Sequence, residues 1–256
     1  RARAAAGDVC VGTVDSWLVA NMTGGADHLT DLTNASRTQL LDLDRLEWSE
    51  QLCSWFDVPH VALPRLVASA GHLATCRLPG GGSVPLLALL GDSHAAAVGH
   101  GAIAPGSVKA TFGTGTSVLA PVDSVSHDVP LSRTIAWSRE CDGAVETTRA
   151  LEGNIYATGA ALELMAELVG LGGDVGALAA LVRPDRGACN GVYFVPALSG
   201  LGAPHWVPDA TGTVVGLSRS TDRHDLATAA FESIAFQVRD VLDALPPETA
   251  GRLLHV

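Results

Sequence analysis

Two short stretches of the sequence hold groups that could carry out chemistry. The first centres on Asp92, which follows the apolar run Val84–Leu90 and Gly91. An ionised carboxylate rarely lies in apolar surroundings without a partner, so this residue needs an explanation. In one interpretation it caps a helix over Ala95 and Ala96. In the other it is a general base that accepts the proton of a sugar or polyol hydroxyl during phosphoryl transfer.

The second stretch is Phe112–Thr116, with the sequence FGTGT. It is either a plain hairpin turn or a loop that binds phosphate. For phosphate binding, Gly113 and Gly115 would let backbone N–H groups approach the phosphate oxygens, and Thr114 would add a hydroxyl donor. The stretch is not a P-loop, because the pattern GxxxxGK[ST] is absent, and no GxGxxG follows a strand.

Other catalytic classes are poorly matched by the sequence. Gly91–Ser93 reads GDS, as in esterases of the GDSL type, but such enzymes need a later Asp-x-x-His, and the only such pair here, Asp57 and His60, lies upstream. His94 and His100 are six residues apart, a spacing that does not place them on one helical face, and no HExxH motif exists. We therefore predict no metal held by protein ligands.

The elements that would position these residues follow from hydrophobic patterning. Val84–Leu90 is a continuous apolar run of strand length, which predicts a strand buried on both faces of a parallel or mixed sheet. Ligands of open α/β sheets collect beyond the carboxyl ends of such strands, where Asp92 lies. From Ser107 onward we expect two strands with a tight turn between them, then strands over Thr134–Trp137 and Val145–Leu151.

Helical spacing predicts further elements on either side of these strands. We expect a helix over Leu46–Phe56 that packs Trp48, Leu52 and Trp55 into the core. We also expect a helix from a cap at Asn154 to about Val169, and a final helix that begins at a cap at Asp225. Because strands alternate with helices in both halves, we predict two α/β domains, residues 1–103 and 104–256.

The polar run at residues 31–38, DLTNASRT, offers few side chains that could pack in a core. One interpretation is a turn held by Asx and Ser/Thr side-chain hydrogen bonds. The other is a segment that presents Asn34 and Arg37 to a site. The sequence alone leaves both open.

Composition excludes several classes of protein. The chain has 256 residues, of which 47% are hydrophobic and 17% charged, as expected for a globular protein. A formal net charge of −11 argues against a general nucleic-acid or anionic-membrane surface. No apolar run approaches the roughly 18 residues that a membrane span needs. We predict a cytoplasmic location, no nucleic-acid partner and no membrane.

The cysteines and the chain ends support two further expectations. The five cysteines are scattered and never form a CxxC pair, so we expect reduced, buried thiols. The chain starts within a polar helical pattern without an initiator Met, and it stops at what looks like the beginning of a buried strand. We therefore expect a fragment of a larger protein.

Several long motifs resemble the FGGY carbohydrate kinases, and their glycerol kinase-like members most closely. They occur in the family's order and cover nearly all of the chain. The motifs are GTVDSWLVANMTGG (12–25), TDLTNASRT (30–38), GDSHAAAVGHG (91–101), ATFGTGTSVL (110–119), ALEGNIYATGAALE (150–163), PALSGLGAPHWVPDATG (196–212) and GTVVGLSRSTDRHDLATAAFE (212–232).

This resemblance implies an α/β, actin-like ATPase (ribonuclease-H-like) fold of two domains, incomplete here, with ATP and Mg²⁺ as cofactors. It assigns residues 1–103 to the C-terminal part of the first, substrate-side domain, and residues 104–256 to the N-terminal part of the second, nucleotide-side domain. Asp92 matches the catalytic base. Asp92 and Ser93 are implied to bind the substrate. Ser93 stands in place of a glutamine that helps to hold glycerol, so a larger polyol or a ketose is the expected substrate.

On the nucleotide side, the resemblance implies that Gly113, Thr114 and Gly115 contact the phosphates and that Gly159 contacts the nucleotide. Glu163 stands where glycerol kinases have a glutamine near the nucleotide. The parts that hold the substrate and the adenine would precede and follow the chain, so we predict little activity for the chain by itself. The competing hypothesis is a non-catalytic assembly or regulatory module. The family also implies a possible homo-oligomer.

Overall fold

The computed structural model describes residues 2–124, 128–183, 188–247, 249 and 253–256, with 188, 189 and 253 described by their backbone alone. The described chain divides into two compact units. Unit 1 comprises Arg1–Pro105, Pro121–Val125 and Arg133–Ala150, and unit 2 comprises Gly106–Ala120, Ser126–Ser132 and Leu151–Val256. The predicted division into residues 1–103 and 104–256 stays a prediction.

The described residues form a mixed α/β structure. The helices are α1 (Ala2–Ala5), α2 (Val14–Met22), α3 (Leu32–Ala35), α4 (Glu50–Trp55), α5 (Asp92–Gly99), α6 (Gly159–Leu168), α7 (Val175–Ala179) and α8 (Arg223–Ala244), with short 3-10 turns at His60–Ala62 and Ala188–Gly191. The strands are β1 (Leu29–Asp31), β2 (Leu41–Asp42), β3 (Glu47–Trp48), β4 (Arg65–Val67), β5 (Ala70–Arg77), β6 (Ser83–Ala88), β7 (Ser107–Phe112), β8 (Thr116–Val122), β9 (Ser132–Cys141), β10 (Ala144–Ile155), β11 (Tyr193–Val195), β12 (Thr213–Val215) and β13 (Leu253–His255).

In unit 1 the neighbouring strands of the main sheet are β9, β5 and β6. Strand β5 pairs parallel with β9 and antiparallel with β6. A separate parallel pair joins β1 to β4, with Asp31 opposite Val67. A core cluster, which includes Leu32, Ala35 and Trp48, packs beneath these elements.

The prediction for Val84–Leu90 is wrong in its burial. The corresponding strand β6 is the last strand of its sheet, pairs antiparallel with β5, and is exposed along most of its length. The run contains Pro85, and a proline has no N–H to give to a second neighbouring strand, which confines it to strands at an edge. The apolar run therefore marked an edge strand rather than a central one.

The helix predicted over Leu46–Phe56 is shorter than expected. Helix α4 begins at Glu50, and the side chain of Ser49 caps it by accepting the N–H of Leu52. Trp48 is buried in β3, which confirms its predicted place in the core, and it donates its Nε1–H to the carbonyl of Pro64. Trp55 is 70% exposed, so its assignment to the core was wrong.

In unit 2, β7 and β8 form an antiparallel hairpin, and β13 pairs parallel with β7. Helices α6, α7 and α8 pack with β11 around a second core cluster that contains Leu162, Met165 and Leu178. Asn154, the predicted cap of the helix now called α6, lies in strand β10 instead, and α6 begins at Gly159. The β ladder thus continues past the polar residue that suggested a cap.

Helix α8 also begins three residues earlier than predicted. Asp222 is the N-cap, and its carboxylate accepts the N–H groups of His224 and Asp225. Asp225 returns the contact, since its carboxylate accepts the N–H of Asp222, which completes a capping box. The backbone bonds to Asp225 and His224 are the main causes that hold the pKa of the Asp222 carboxyl below its ordinary value, against some desolvation.

None of the helices described above is both long and apolar enough to cross a membrane. Of the cysteines, Cys53 and Cys76 are buried free thiols, and burial raises the pKa of the Cys53 thiol. Cys10 is exposed, which differs from the expectation of buried thiols, and the side chain of Cys189 lies outside the described residues.

Candidate active site

Asp92 is the first residue of α5, and its side chain is exposed. The N-cap position belongs to Gly91, whose carbonyl accepts the N–H of Ala95 at 2.8 Å. The carboxylate of Asp92 accepts the N–H of Ser93 at 2.6 Å. The N-cap interpretation of Asp92 is therefore wrong. Its side chain lies at the positive end of the helix dipole, where a negative charge is favourable.

Segment 31–38, which precedes the site in sequence, is the turn that the sequence analysis considered. The hydroxyls of Ser36 and Thr38 donate to the carbonyls of Thr33 and Ala35, at 2.7 Å each. The amide of Asn34 donates to the carboxylate of Asp31 at 2.8 Å, so this side chain is engaged inside the turn rather than presented to a ligand. The predicted Asx and Ser/Thr hydrogen bonds are confirmed, on a segment whose residues Leu32–Ala35 form α3. Arg37 is exposed, and its presentation to a site stays a prediction.

The loop Gly113–Gly115 closes the β7–β8 hairpin, where Phe112 pairs with Thr116. The N–H of Gly113 donates to the carbonyl of Gly115 at 2.9 Å, across the loop. Gly113 and Thr114 are exposed, and Gly115 is half-buried. The hairpin interpretation is thus confirmed in its geometry, and a phosphate-binding role is compatible with the same turn.

Two carbonyls of this loop are bound by the beginning of α6. The N–H groups of Gly159 and Thr158 donate to the carbonyls of Gly113 and Thr114, each at 3.0 Å. The hydroxyl of Thr158 donates to the carbonyl of Gly113, also at 3.0 Å. The backbone hydrogen bonds described for this loop include none from the N–H groups of Thr114 and Gly115. Such free backbone donors are the groups that bind phosphate oxygens in nests.

The glycines of this assembly are required by close backbone packing. A Cβ atom on Gly159 would lie 2.6 Å from the carbonyl oxygen of Gly113, and one on Gly115 would lie 2.6 Å from that of Ile155. Gly113 is different, because its nearest neighbour would be 3.6 Å away, which is an ordinary contact. Sequence reasoning assigned these glycines to a ligand and missed this packing role. The contacts link positions far apart in the chain, so no local pattern could have shown it.

A cavity of about 650 Å³ opens beside the loop within unit 2. Its lining is mainly apolar, which suits the flat ring of a nucleobase. It is bordered by Phe112, Gly113, Thr158, Gly159 and Leu162, by Phe231, Ile234, Ala235, Val238, Arg239 and Leu242 of α8, and by Leu254. Arg239 is held at the rim by a 2.8 Å ion pair with Asp243, whose hydrogen bond raises the pKa of the guanidinium.

Glu163 is exposed and lies one helical turn after Gly159, so the two residues share a face of α6. It does not line the cavity. A carboxylate at this point adds negative charge near the proposed phosphate loop. Its predicted nucleotide contact stays a prediction.

A larger cavity, of about 1030 Å³, lies in unit 1 between β3, α4 and β4. Its lining includes Asp42, His60 and Arg65, and it contains none of the residues predicted for the site. Backbone hydrogen bonds from Arg45 and Asp44 keep the pKa of the Asp42 carboxyl below its usual range. If size were the only criterion, this cavity would be the candidate binding site, whereas the geometry of the glycine loop favours the cavity in unit 2.

Within the described ranges, no group of three His, Cys, Asp or Glu side chains is placed to hold a metal ion. Mg²⁺ is commonly bound through one or two carboxylates, several waters and the substrate's own phosphates. The described residues thus do not form a dedicated cage for Mg²⁺. Asp92 lies in unit 1 and the glycine loop in unit 2.

Two family models match almost the whole chain. Residues 1–99 match the FGGY family of carbohydrate kinases, N-terminal domain, and residues 108–253 match the C-terminal domain of the same family. Both matches lie in the order that the sequence motifs predicted.

Individual glycerol kinases are also similar to this chain. The glycerol kinase of Myxococcus xanthus is 43% identical over 254 residues, which is 96% of this chain and 50% of that protein. The glycerol kinase of Citrifermentans bemidjiense is 47% identical over 253 residues, or 96% and 49%. The crystal structure of Plasmodium falciparum glycerol kinase with ADP superposes with a TM-score of 0.82 at 30% identity, covering 96% of this chain and 49% of that one. The chain spans about half the length of the curated relatives it matches.

Proposed function

Because this chain belongs to the FGGY family of carbohydrate kinases, we propose that it carries both halves of an ATP-dependent phosphoryl-transfer site. The predicted α/β, actin-like ATPase fold is confirmed by the superposition on glycerol kinase. The reaction would transfer the γ-phosphoryl group of ATP to a hydroxyl of a polyol or sugar. The observation that carries the proposal is the glycine loop, in which the carbonyls of Gly113 and Thr114 are bound by the beginning of α6 and the N–H groups of Thr114 and Gly115 remain available.

The nucleotide half of the site lies in unit 2. The N–H groups of Thr114 and Gly115, with the Thr114 hydroxyl, would donate to phosphate oxygens. The apolar cavity next to Gly113 and Gly159 would take the nucleoside part of ATP. Since the loop is held by backbone bonds to α6, its donors are in place before the nucleotide binds.

The acceptor half lies in unit 1 at the beginning of α5. The hydroxyl oxygen of the substrate would form a bond to the γ-phosphorus as the bond from that phosphorus to the β–γ bridging oxygen breaks, and ADP would leave. The carboxylate of Asp92 would accept the hydroxyl proton. Phosphoryl transfer asks little covalent chemistry of the protein, so positioning and electrostatic stabilisation account for most of the rate.

Bound together with the phosphates of ATP, Mg²⁺ would supply positive charge that offsets the charge developing on them. Among the described residues, no group of three or more His, Cys, Asp or Glu side chains is placed to bind the ion. None of the steps assigned above to this chain's residues depends on a protein ligand to that ion.

The proposed substrate class is a polyol or a ketose. Ser93 is half-buried immediately after the proposed base, and the family resemblance implies a glutamine at this position in glycerol kinases. Its shorter side chain leaves room for an acceptor with more carbons than glycerol. The relatives at 43% and 47% identity are glycerol kinases, so glycerol belongs in the same test.

Calorimetry and a coupled ADP-release assay test the proposed function. Mg-ATP is titrated into the 256-residue chain and into a version extended at both ends, and glycerol, longer polyols and ketoses are then compared as acceptors. We expect nucleotide binding and acceptor-dependent ADP release in the extended protein and little turnover in the chain by itself. An extended protein that binds no nucleotide and phosphorylates none of these acceptors contradicts the proposal.

Glu163→Gln is expected to lower the KM for ATP. The exposed carboxylate lies one turn from Gly159 and repels the anionic nucleotide. Exposed charge pairs contribute about 0.2–1 kcal/mol, which corresponds to about a 1.4- to fivefold change. Glu167→Gln is the matched control, since Glu167 is exposed one further turn along α6. Initial rates against ATP concentration at low and high salt measure the effect. An equal change in the KM for ATP in both variants contradicts the placement of Glu163 near the nucleotide. A change that high salt does not reduce also contradicts it.

Neither the described residues nor the relatives support the competing hypothesis of a non-catalytic assembly or regulatory module. The possible homo-oligomer and the cytoplasmic location stay predictions.

A further inference from the structure

We infer that Asp31, acting through Thr33 and Ser69, is a positioning residue for Asp92. This inference rests on the proposed function, because it concerns the placement of the proposed base. All the contacts that carry it lie within unit 1. They connect the end of β1 to the segment of chain that enters α5.

Asp31 is a fully buried carboxylate that accepts an unusual number of hydrogen bonds. It caps α3 by accepting the N–H groups of Thr33 and Asn34, each at 3.0 Å. It also accepts the Thr33 hydroxyl and the Asn34 amide, both at 2.8 Å, and the Ser69 hydroxyl at 2.6 Å. A helix cap needs only one or two backbone donors. Because a carboxylate can only accept hydrogen bonds, each of the additional side-chain groups must donate its proton to Asp31.

The first connection to the site runs through Thr33. Its hydroxyl has one proton, which it donates to Asp31, so its lone pairs are left to accept. They accept the N–H of Gly91 at 2.9 Å. Gly91 is the N-cap of α5, and Asp92 is the next residue. The buried carboxylate thus fixes the backbone one residue before the proposed base.

The second connection runs through Ser69. Its hydroxyl donates to Asp31, and its carbonyl accepts the N–H of Leu89 at 2.9 Å. Ser69 is itself held by Ser138, with which it exchanges two backbone-to-hydroxyl bonds of 3.0 and 3.1 Å. The chain that enters α5 is therefore fastened at both Leu89 and Gly91 to groups that contact the same carboxylate.

This arrangement explains how an exposed carboxylate can have a defined position. Asp92 is exposed, and the hydrogen bond described for its side chain comes from the N–H of the adjacent Ser93. Its place is therefore set by the backbone that carries it. A displacement of about 1 Å at a reacting group can cost about 100-fold in rate. Loosening Gly91 should reduce the chemical step rather than the binding of ATP.

Thr33→Val tests the inference in the whole protein. Valine fills the same space but cannot accept the N–H of Gly91, and we expect kcat to fall about 10- to 100-fold with little change in the KM for ATP. Thr33→Ser keeps the hydroxyl and should restore most of kcat. Thr38→Val is the matched control, because the Thr38 hydroxyl also joins a carbonyl, of Ala35, to a backbone N–H, of Leu40, and does so away from Gly91.

The outcomes separate this inference from the proposed function. If Asp92→Asn keeps full activity, the base assignment fails, whatever Thr33→Val does. If Asp92→Asn is inactive while Thr33→Val and Thr38→Val have the same kcat, the base stands and the positioning inference is overturned. In the Asp92→Asn background, Thr33→Val should have no further effect on the residual rate.

A second measurement covers the case in which Thr33→Val does not fold. Hydrogen exchange of the Gly91 amide in the unmodified protein should be slow, because that N–H is bonded to a buried, fixed hydroxyl. Exchange at the rate of an unprotected amide would overturn the inference without any variant.

Discussion

Asp92→Asn is expected to lower kcat by about 100- to 10,000-fold, the range that a positioned general base contributes. Asparagine has nearly the same shape as aspartate and can still accept the N–H of Ser93, so the beginning of α5 should keep its structure. What it cannot do is take the proton from the substrate hydroxyl. ATP binding, measured by calorimetry, should be unchanged because the proposed nucleotide contacts lie in unit 2.

The control for Asp92→Asn is Glu50→Gln. Glu50 is likewise an exposed acidic residue at the first position of a helix, α4, and it belongs to the same unit. Both substitutions remove a favourable interaction with the helix dipole, worth about 0.3–1 kcal/mol. Only the first removes the proposed base. Equal activity in the two variants would show that Asp92 contributes nothing beyond its charge at a helix end.

Gly159→Ala is expected to lower kcat/KM for ATP by about 10- to 100-fold, the size of effect that a misplacement of about 1 Å produces. The added Cβ would lie 2.6 Å from the carbonyl oxygen of Gly113, a separation that real Cβ atoms do not tolerate. The obstacle is backbone on both sides, so no side chain can rotate away. Either the loop or the beginning of α6 must move, and the bonds that direct the Thr114 and Gly115 donors are then lost.

Gly99→Ala serves as the control for this substitution. Gly99 ends α5, and a Cβ atom there would meet nothing within 4 Å. The same methyl group is therefore added without a conflict, and kcat/KM for ATP should not change. Steady-state kinetics and the thermal unfolding of both variants are to be compared. A Gly159→Ala protein with normal nucleotide kinetics would contradict the proposed loop.

Much of the nucleotide half could be predicted from the sequence because its signals are local. The FGTGT turn between two strands gave the hairpin, and the amphipathic pattern of the last helix gave α8 apart from its first residues. The outward positions of Glu163 and Glu167 also follow from helical spacing. Such features depend on neighbours within a few residues, which is the range that a sequence pattern reports.

The acceptor half was less predictable because its contacts are distant in the chain. The Asp31 carboxylate accepts the hydroxyl of Ser69, 38 residues away in the chain, and the Thr33 hydroxyl accepts the N–H of Gly91, 58 residues away. The polar run around them predicted a turn, which is correct, but it could not show which distant backbone the turn would hold. The exposure of β6 was missed for the same reason, since an apolar run does not reveal how many strands will pair beside it.

The attachment of the Gly113–Gly115 loop to α6 has a consequence for the thermodynamics of ligand binding. A flexible loop that closes on a phosphate group must lose conformational entropy at that moment, which weakens the observed affinity. Here the turn is already immobilised by main-chain bonds when the protein folds. Association with a polyphosphate should therefore show a favourable enthalpy from the amide contacts with only a small entropic penalty from this part of the backbone.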